Sequence, residues 1–163
     1  MARGMDNSCV IPGRGVKSVS NEITFNRDVT DKQLIRDTLI ALSDKVGYRL
    51  RKKELTGKTV ALKIRFSDFS TYIRHLTLSE RTDLGETISA SALELLSTMK
   101  MAQPVRLLGV GMMQVSQAGA QANLFDRDGK RQKVSAAMDS IKAKFGERSI
   151  QRGSIRRNPD KIR

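Results

Sequence analysis

Two aspartates and a glycine in the second half of the chain, Asp126, Asp128 and Gly129, have the spacing that opens a calcium-binding EF-hand loop. A complete loop needs further oxygen ligands and a closing bidentate glutamate, and the residues that follow do not supply them. The run GVGMMQ begins like a dinucleotide-binding loop and fails at Gln114, where a third glycine belongs. Both spacings are interpreted as chance matches.

The chain has one cysteine, Cys9, and one histidine, His75. They are too few for the usual four ligands of zinc, and Cys9 has no second thiol with which to form an internal disulfide. His75 follows Arg74 in a β-rich run, without a Cys or Ser nucleophile in a recognisable pairing, and is interpreted as a structural or nucleic-acid-facing side chain. The sequence therefore predicts no metal site, no cofactor and no catalytic residue in this chain.

The charge balance predicts an anionic partner. The formal net charge is +13, and residues 126–163 carry 12 Lys or Arg against 5 Asp or Glu, which is more than half of the excess. Nucleic acid is the partner that such a balance favours, although a basic tail is also compatible with a solvated appendage. No apolar run approaches the roughly 20 residues of a membrane helix, so we expect a cytoplasmic, nucleoid-associated protein with no membrane partner.

Leu124 and Phe125 stand side by side in the run QAGAQANLFDRDGK, in which the other residues are small or polar. Neither strand alternation nor helical periodicity explains the pair, so we interpret it as an anchor for a partner, with Gln121 three residues upstream. The alternative is that Leu124 and Phe125 fold back onto the domain as an apolar clasp.

The elements that position these residues follow an α+β pattern. Strands are predicted at 17–25, 57–69, 70–78 and 105–115, and helices at 30–53 and 86–101. The order β-α-β-β-α-β predicts a four-stranded sheet with two helices on one face, and Thr30 with Gln33 has the spacing of a capping box for the first helix. We divide the chain into a linker at 1–16, a domain at 17–116, and a segment at 117–163.

That last segment contains a third predicted helix with a basic end. Its apolar residues recur at helical spacing and must dock on the domain or on a partner: Val134, Met138, Ile141 and Phe145. The basic residues beyond Gly146 are expected to be mobile.

Helices on one face leave the other face of the predicted sheet open. Hydroxyls and cations suited to phosphate contacts are predicted there: Lys17, Ser18, Ser20, Lys63, Arg65, Arg74 and Arg106. The pleat register of Arg74 and Arg106 is ambiguous from the pattern, and an ordinary solvated sheet face is the alternative for the whole set.

Four separated motifs resemble one family in that family's own order. KSVSNEITF, LRKKELTGKTVALKIRFSDFSTYIRHLTL, PVRLLGVGM and QANLF resemble the little finger domain and C-terminal tail of Y-family translesion DNA polymerases, especially the DNA polymerase IV branch. The resemblance implies a module whose open sheet enters the major groove of primer-template DNA. It also implies that Gln121, Leu124 and Phe125 bind the sliding clamp, and that a linker joins the module to a separate polymerase core.

The palm, fingers and thumb of that family have no counterpart in this sequence, nor have the carboxylates that hold its two metal ions. We therefore expect a non-catalytic DNA-binding domain of a translesion polymerase that acts in DNA repair and damage tolerance. The alternatives are a fragment of an active DNA-directed DNA polymerase, and a basic RNA-binding protein. The second lacks stacking aromatics, because the chain has two Tyr, five Phe and no Trp.

Overall fold

The computed structural model describes residues 15–118, 129–146, 149–150 and 152–153. Its elements follow one another as β1 (Ser18–Val29), α1 (Lys32–Lys52), β2 (Leu55–Phe66), β3 (Thr71–Thr82), α2 (Gly85–Ser97), β4 (Val105–Met113), β5 (Ser116–Gln117) and α3 (Gly129–Phe145). The predicted β-α-β-β-α-β order and the third helix are confirmed. None of the described helices is long and apolar enough to cross a bilayer.

The main sheet is antiparallel, with the strand order β1-β4-β2-β3. β2 and β3 form the predicted hairpin, and β3 lies at the sheet edge. The prediction of four strands was incomplete, because the two-residue strand β5 pairs with the start of β2, where Gln117 lies opposite Leu55. So short a strand has no room for an alternating pattern, which is why the sequence did not indicate it.

One layer of core lies between the sheet and the pair of helices α1 and α2. Alternate residues of β2 are fully buried in it, including Leu62 and Ile64, and they pack in one cluster with Leu39 of α1 and Ile88 of α2. Both helices thus cover the same side of the sheet, as the apolar spacing predicted. The opposite side of the sheet is left without a helical layer among the described residues.

The start of α1 differs from the prediction. Asp31, not Thr30, is the N-cap, and its carboxylate accepts hydrogen bonds from the backbone N–H groups of Gln33 (2.9 Å) and Leu34 (3.3 Å). The side chain of Gln33 donates to Asp37 at 2.7 Å instead of returning to the cap. Two adjacent capping residue types make the position of the cap ambiguous by one residue from sequence alone.

α1 and α2 approach closely where both carry glycine. A Cβ added at Gly47 would lie 2.7 Å from the backbone oxygen of Asp83 and 2.9 Å from the nitrogen of Gly85. A Cβ at Gly85 would lie within 2.9 Å of the Cα of Asp44. The two glycines let the N-terminal end of α2 rest directly against α1, and they fix the angle at which the helical layer covers the sheet.

Candidate nucleic-acid interface

The open face of the sheet, defined by β1 to β4 on the side away from α1 and α2, is assigned by the strand register. Residues directly opposite one another on antiparallel strands point to the same side. Lys63 lies opposite Gly109 and Ile73, and Gly109 lies opposite Glu22, so these four residues share the open face. The same register places Arg65, Ser18 and Ser20 on that side, together with Thr71 and Met113.

The middle of the open face is a shallow trough formed by Gly109, Gly111 and Ala61. These residues are neighbours across β4 and β2, and the two glycines carry no side chain. The walls stand close, because a Cβ at Gly109 would lie 3.1 Å from the Cβ of Glu22 and one at Gly111 would lie 3.2 Å from the Cβ of Ser20. Glycines of this kind allow another backbone to approach the sheet closely.

Lys63 stands on one wall of the trough and Glu22 on the other. The ammonium of Lys63 donates to Oε2 of Glu22 at 2.9 Å, and the two side chains are 33% and 51% exposed. An exposed pair of this kind adds little to stability, since solvent screens both charges. The carboxylate of Glu22 also neutralises the charge of Lys63, one of the cations on this face.

Arg65 and Arg106 lie toward the hairpin end of the sheet. The Nε of Arg65 donates to the hydroxyl of Thr71 at 2.8 Å. The guanidinium of Arg106 stacks 4.9 Å from the ring centre of Phe69 and lies 3.5 Å from a carboxylate oxygen of Asp28. Arg106 falls at an irregularity between Leu107 and Val105 in the pairing with β2, which is why its face could not be read from the sequence.

The two serines and Lys17 line the β1 edge. Ser18 and Ser20 are exposed, and the carbonyl of Ser20 accepts a hydrogen bond of 3.0 Å from Arg49 of α1. Lys17 precedes the strand and is exposed. These residues form a border of hydroxyls and one cation along the trough, a combination that suits phosphate contacts.

The register corrects one predicted member of the face and adds another. Arg74 lies opposite Leu62, whose side chain is fully buried beneath the helices, so Arg74 points to the helical side of the edge strand. His75 lies opposite Ala61 and joins the open face instead. Leu76 and Leu78 of β3 alternate toward the core, but every residue from Thr71 to His75 is exposed, so the alternation does not extend to Arg74 and His75.

Gln121, Leu124 and Phe125, the predicted clamp-binding residues, lie outside the described residues. The residues before and after that segment are tied to the domain. The backbone N–H of Ala118 donates to the carbonyl of Glu54 at 2.8 Å, and Gly129 is buried at the start of α3. In the described part of the chain, no three His, Cys, Asp or Glu side chains are grouped as a metal site would require.

Comparison with known proteins agrees with this architecture. The model of the impB/mucB/samB family C-terminal domain matches residues 16–124. DNA polymerase IV of Desulfatibacillum aliphaticivorans is 36% identical over 160 residues, and that of Brucella melitensis biotype 1 is 34% identical over 156 residues, each covering 94% of this chain. DNA polymerase IV of Listeria monocytogenes serotype 4a is 41% identical over 109 residues, or 66% of the chain.

The chain spans only 40%, 35% and 31% of the length of these three relatives, respectively. The family match covers the whole sheet and both helices of the core, from the residue before Lys17 to Leu124. The chain therefore belongs to the impB/mucB/samB family as a C-terminal domain, the little finger domain of the DNA polymerase IV branch of the Y-family polymerases.

Proposed function

We propose that this domain holds primer-template DNA for a Y-family polymerase by placing its open sheet face against the duplex, and that it performs no catalysis itself. The observation that carries the proposal is the trough of Gly109, Gly111 and Ala61 between walls that bear Lys63 and Arg65. A surface with a flat floor and cationic or hydroxyl-bearing walls suits the backbone of a duplex, which is regular and uniformly charged.

The contacts proposed are with phosphates and not with base edges. Lysine and serine side chains hydrogen-bond phosphate oxygens irrespective of sequence, whereas base readout favours Asn, Gln or Arg projecting in bidentate geometry. Arg65 is held back by its hydrogen bond to Thr71, and Lys63 is shared with Glu22. Binding without sequence preference is what a polymerase needs, because it must move along every template.

The second part of the proposal is docking to the sliding clamp through Gln121, Leu124 and Phe125. Two adjacent apolar side chains between small and polar residues supply the anchors, and the attached domain supplies DNA affinity. Burying one Leu and one Phe is worth roughly 1.5 to 3 kcal/mol each before the cost of ordering the segment, so the two anchors alone support a dissociation constant on the order of millimolar to tens of micromolar. Such an affinity permits exchange of polymerases on the clamp.

The relatives named DNA polymerase IV are more than twice as long as this chain. We propose that the domain works together with a polymerase core of that family, whether on the same polypeptide or on a separate one. The polymerase core would then carry out polymerisation and the bypass of damaged bases, while this domain would bind the duplex.

The test is binding of duplex DNA, duplex RNA and purified sliding clamp, measured side by side on the full chain. Duplex DNA should bind without sequence preference and weaken steeply with salt. The variant Leu124→Ala with Phe125→Ala should lose clamp binding while its melting temperature and duplex affinity stay close to the parent. RNA bound in preference to DNA would refute the DNA proposal. Retained clamp binding together with a large drop in melting temperature would establish the apolar clasp.

A further inference from the structure

Three of the four apolar residues of the predicted α3 stripe face solvent, and the fourth, Met138, is half-buried and lines a small cavity with Asp44 and Arg51. Val134 is 51% exposed, Ile141 36% and Phe145 66%. Their spacing of seven and four residues places them on one side of the helix, one above the other. A surface helix that packs only on its own domain usually turns its apolar stripe toward the core. In α3 these three side chains point away from it.

Ion pairs on the neighbouring side of the helix set this orientation. Asp139 of α3 accepts two hydrogen bonds from the guanidinium of Arg51, at 2.6 and 3.1 Å, and Arg51 also donates to the carbonyl of Asp83 at 2.6 Å. Ser135, one turn before Asp139, is buried. α3 is therefore held to the end of α1 by a polar face.

A second pair fastens the chain beyond α3. The Nε of Arg152 lies 3.0 and 3.1 Å from the two carboxylate oxygens of Asp44, and its Nη1 lies 3.7 Å from Glu86. The expectation that the chain beyond Gly146 is mobile is thus corrected for Arg152. The pair of Asp139 with Arg51 lies within α3, and the pair of Arg152 with Asp44 lies beyond its C-terminal end. Together they hold the helix with Val134, Ile141 and Phe145 turned outward.

Lysines run along the edge of the stripe that is turned away from the domain. By helical periodicity, Lys130, Lys133 and Lys144 lie on the side of the stripe opposite to Ser135 and Asp139, and all three are exposed. An apolar stripe with a cationic edge fits an apolar groove with an acidic rim, the mode in which amphipathic helices bind partner proteins. A second copy of this chain is a poor occupant, because the same lysines and the net charge of +13 would repel it.

We propose that the exposed face of α3, formed by Val134, Ile141 and Phe145 with its lysine edge, binds an acid-rimmed apolar groove on the sliding clamp. This inference rests on the proposed function, in which Leu124 and Phe125 dock on that clamp. Phe125 precedes Gly129 by four residues, a reach of at most about 14 Å, so a clamp that holds the pair lies within range of α3. The short peptide and the rigid helix would then act as two linked contacts.

The test compares two triple variants of the full chain in clamp binding without DNA. The first is Val134→Ser, Ile141→Ser and Phe145→Ser, which preserves helix propensity because serine ranks beside these residues. The matched control is Val16→Ser, Ile73→Ser and Phe69→Ser, the same residue types at similar exposures of 41%, 50% and 63% elsewhere on the molecule. We expect about tenfold weaker clamp binding for the α3 variant, equal to partial burial of three side chains, and no change for the control.

A second variant tests the proposal without altering the apolar stripe. Lys130→Gln, Lys133→Gln and Lys144→Gln should weaken clamp binding at low salt and reduce its salt dependence, with the circular dichroism of the helix unchanged. Clamp binding that is lost in Leu124→Ala with Phe125→Ala, yet unaffected in both α3 variants, would overturn this inference and leave the proposed function standing. No clamp binding by the parent chain would overturn both. The inference would also be overturned if the α3 variants lost dimerisation, or binding to anionic vesicles, while their clamp binding stayed unaffected.

Discussion

The ammonium of Lys63 and the carboxylate of Glu22 meet at 2.9 Å across the glycine trough of the open sheet face. The pair places one acid among the cations that we assign to phosphate binding. It also gives the DNA proposal a test in which removing a charge should strengthen binding.

Glu22→Gln is expected to raise duplex affinity severalfold, because it frees Lys63 for a phosphate and removes a repulsive carboxylate. The slope of log affinity against log salt should steepen by less than about 0.9, the value of one whole phosphate contact, because Lys63 supplies part of that contact while Glu22 shares it. Lys63→Gln should move both quantities the other way. Fluorescence anisotropy of a labelled duplex at several salt concentrations measures them.

The matched control for Glu22→Gln is Glu94→Gln. Glu94 is exposed on α2, in the helical layer behind the sheet, and its substitution changes the net charge by the same amount. If Glu94→Gln raises affinity as much as Glu22→Gln does, net charge and not the open face governs binding.

Filling the trough should weaken binding by a route independent of charge. Gly109→Ala with Gly111→Ala places two methyl groups on the floor, 3.1 and 3.2 Å from the Cβ atoms of Glu22 and Ser20. Stability should change by less than about 1 kcal/mol, because the gain from removing glycine offsets the crowding. Duplex affinity should fall about tenfold while the salt slope stays that of the parent. Unchanged affinity in a folded variant would show that DNA does not approach the trough.

The close approach of α1 and α2 predicts a stability effect at Gly47. Alanine there would gain about 1 kcal/mol in helix propensity, but its Cβ would lie 2.7 and 2.9 Å from backbone atoms that cannot rotate away. Overpacking of this kind costs about 1 to 3 kcal/mol, so Gly47→Ala should lower the melting temperature. Gly15→Ala, which meets no atom within 4 Å, is the control and should leave it unchanged. A Gly47→Ala variant as stable as the parent would contradict the helix packing described.

The ion pair that holds Arg152 predicts a pH dependence of stability. Burial raises the pKa of Asp44 above its ordinary value of 3.8, and Arg152 offsets this only in part. Within the window from 3.8 up to the raised pKa, the folded state binds a proton that the unfolded state has released. The contribution of Asp44 to the free energy of unfolding therefore falls as pH rises through that window.

Asp44→Asn removes this titration. The free energy of unfolding of the parent minus that of Asp44→Asn should decline as pH rises above 3.8 and become flat above the raised pKa. Asp68 is the control of opposite sign, because hydrogen bonds from Ser70 lower the pKa of its carboxyl. Its contribution should be present above 3.8 and be lost as pH falls through the lowered pKa. Urea unfolding of the parent, Asp44→Asn and Asp68→Asn at a series of pH values measures both differences. The same trend with pH for the two variants would refute the opposite pKa shifts assigned to Asp44 and Asp68.

Most of the fold was predictable because its elements carry clear apolar periods. β2 alternates Val60, Leu62, Ile64 and Phe66 into the core, and α1 and α2 repeat apolar residues at helical spacing. The same alternation places Lys63 and Arg65 on the open face, as the register shows.

Features that depend on contacts between distant segments could not be predicted. Arg74 was misassigned because the first half of the edge strand β3 is exposed on both sides, and the alternation of Leu76 and Leu78 begins only after it. The orientation of α3 depends on Arg51 and Asp139, which are 88 residues apart, so the helix period indicated a stripe without indicating which way it faces. The trough likewise arises from the register of Gly109 against Lys63 across two strands.

The central claim, that the open sheet face binds duplex DNA, is tested most directly by the salt dependence of duplex affinity in two double variants. Lys63→Ala with Arg65→Ala removes two cations from the open face, and Arg36→Ala with Lys45→Ala removes two exposed cations from α1 behind it. The account predicts that the first variant binds more weakly, with a salt slope reduced by between about 0.9 and 1.8, because Arg65 supplies one contact and Lys63, shared with Glu22, supplies part of another; the second variant should bind like the parent. Equal losses in both variants, or an unchanged slope in the first, would contradict it.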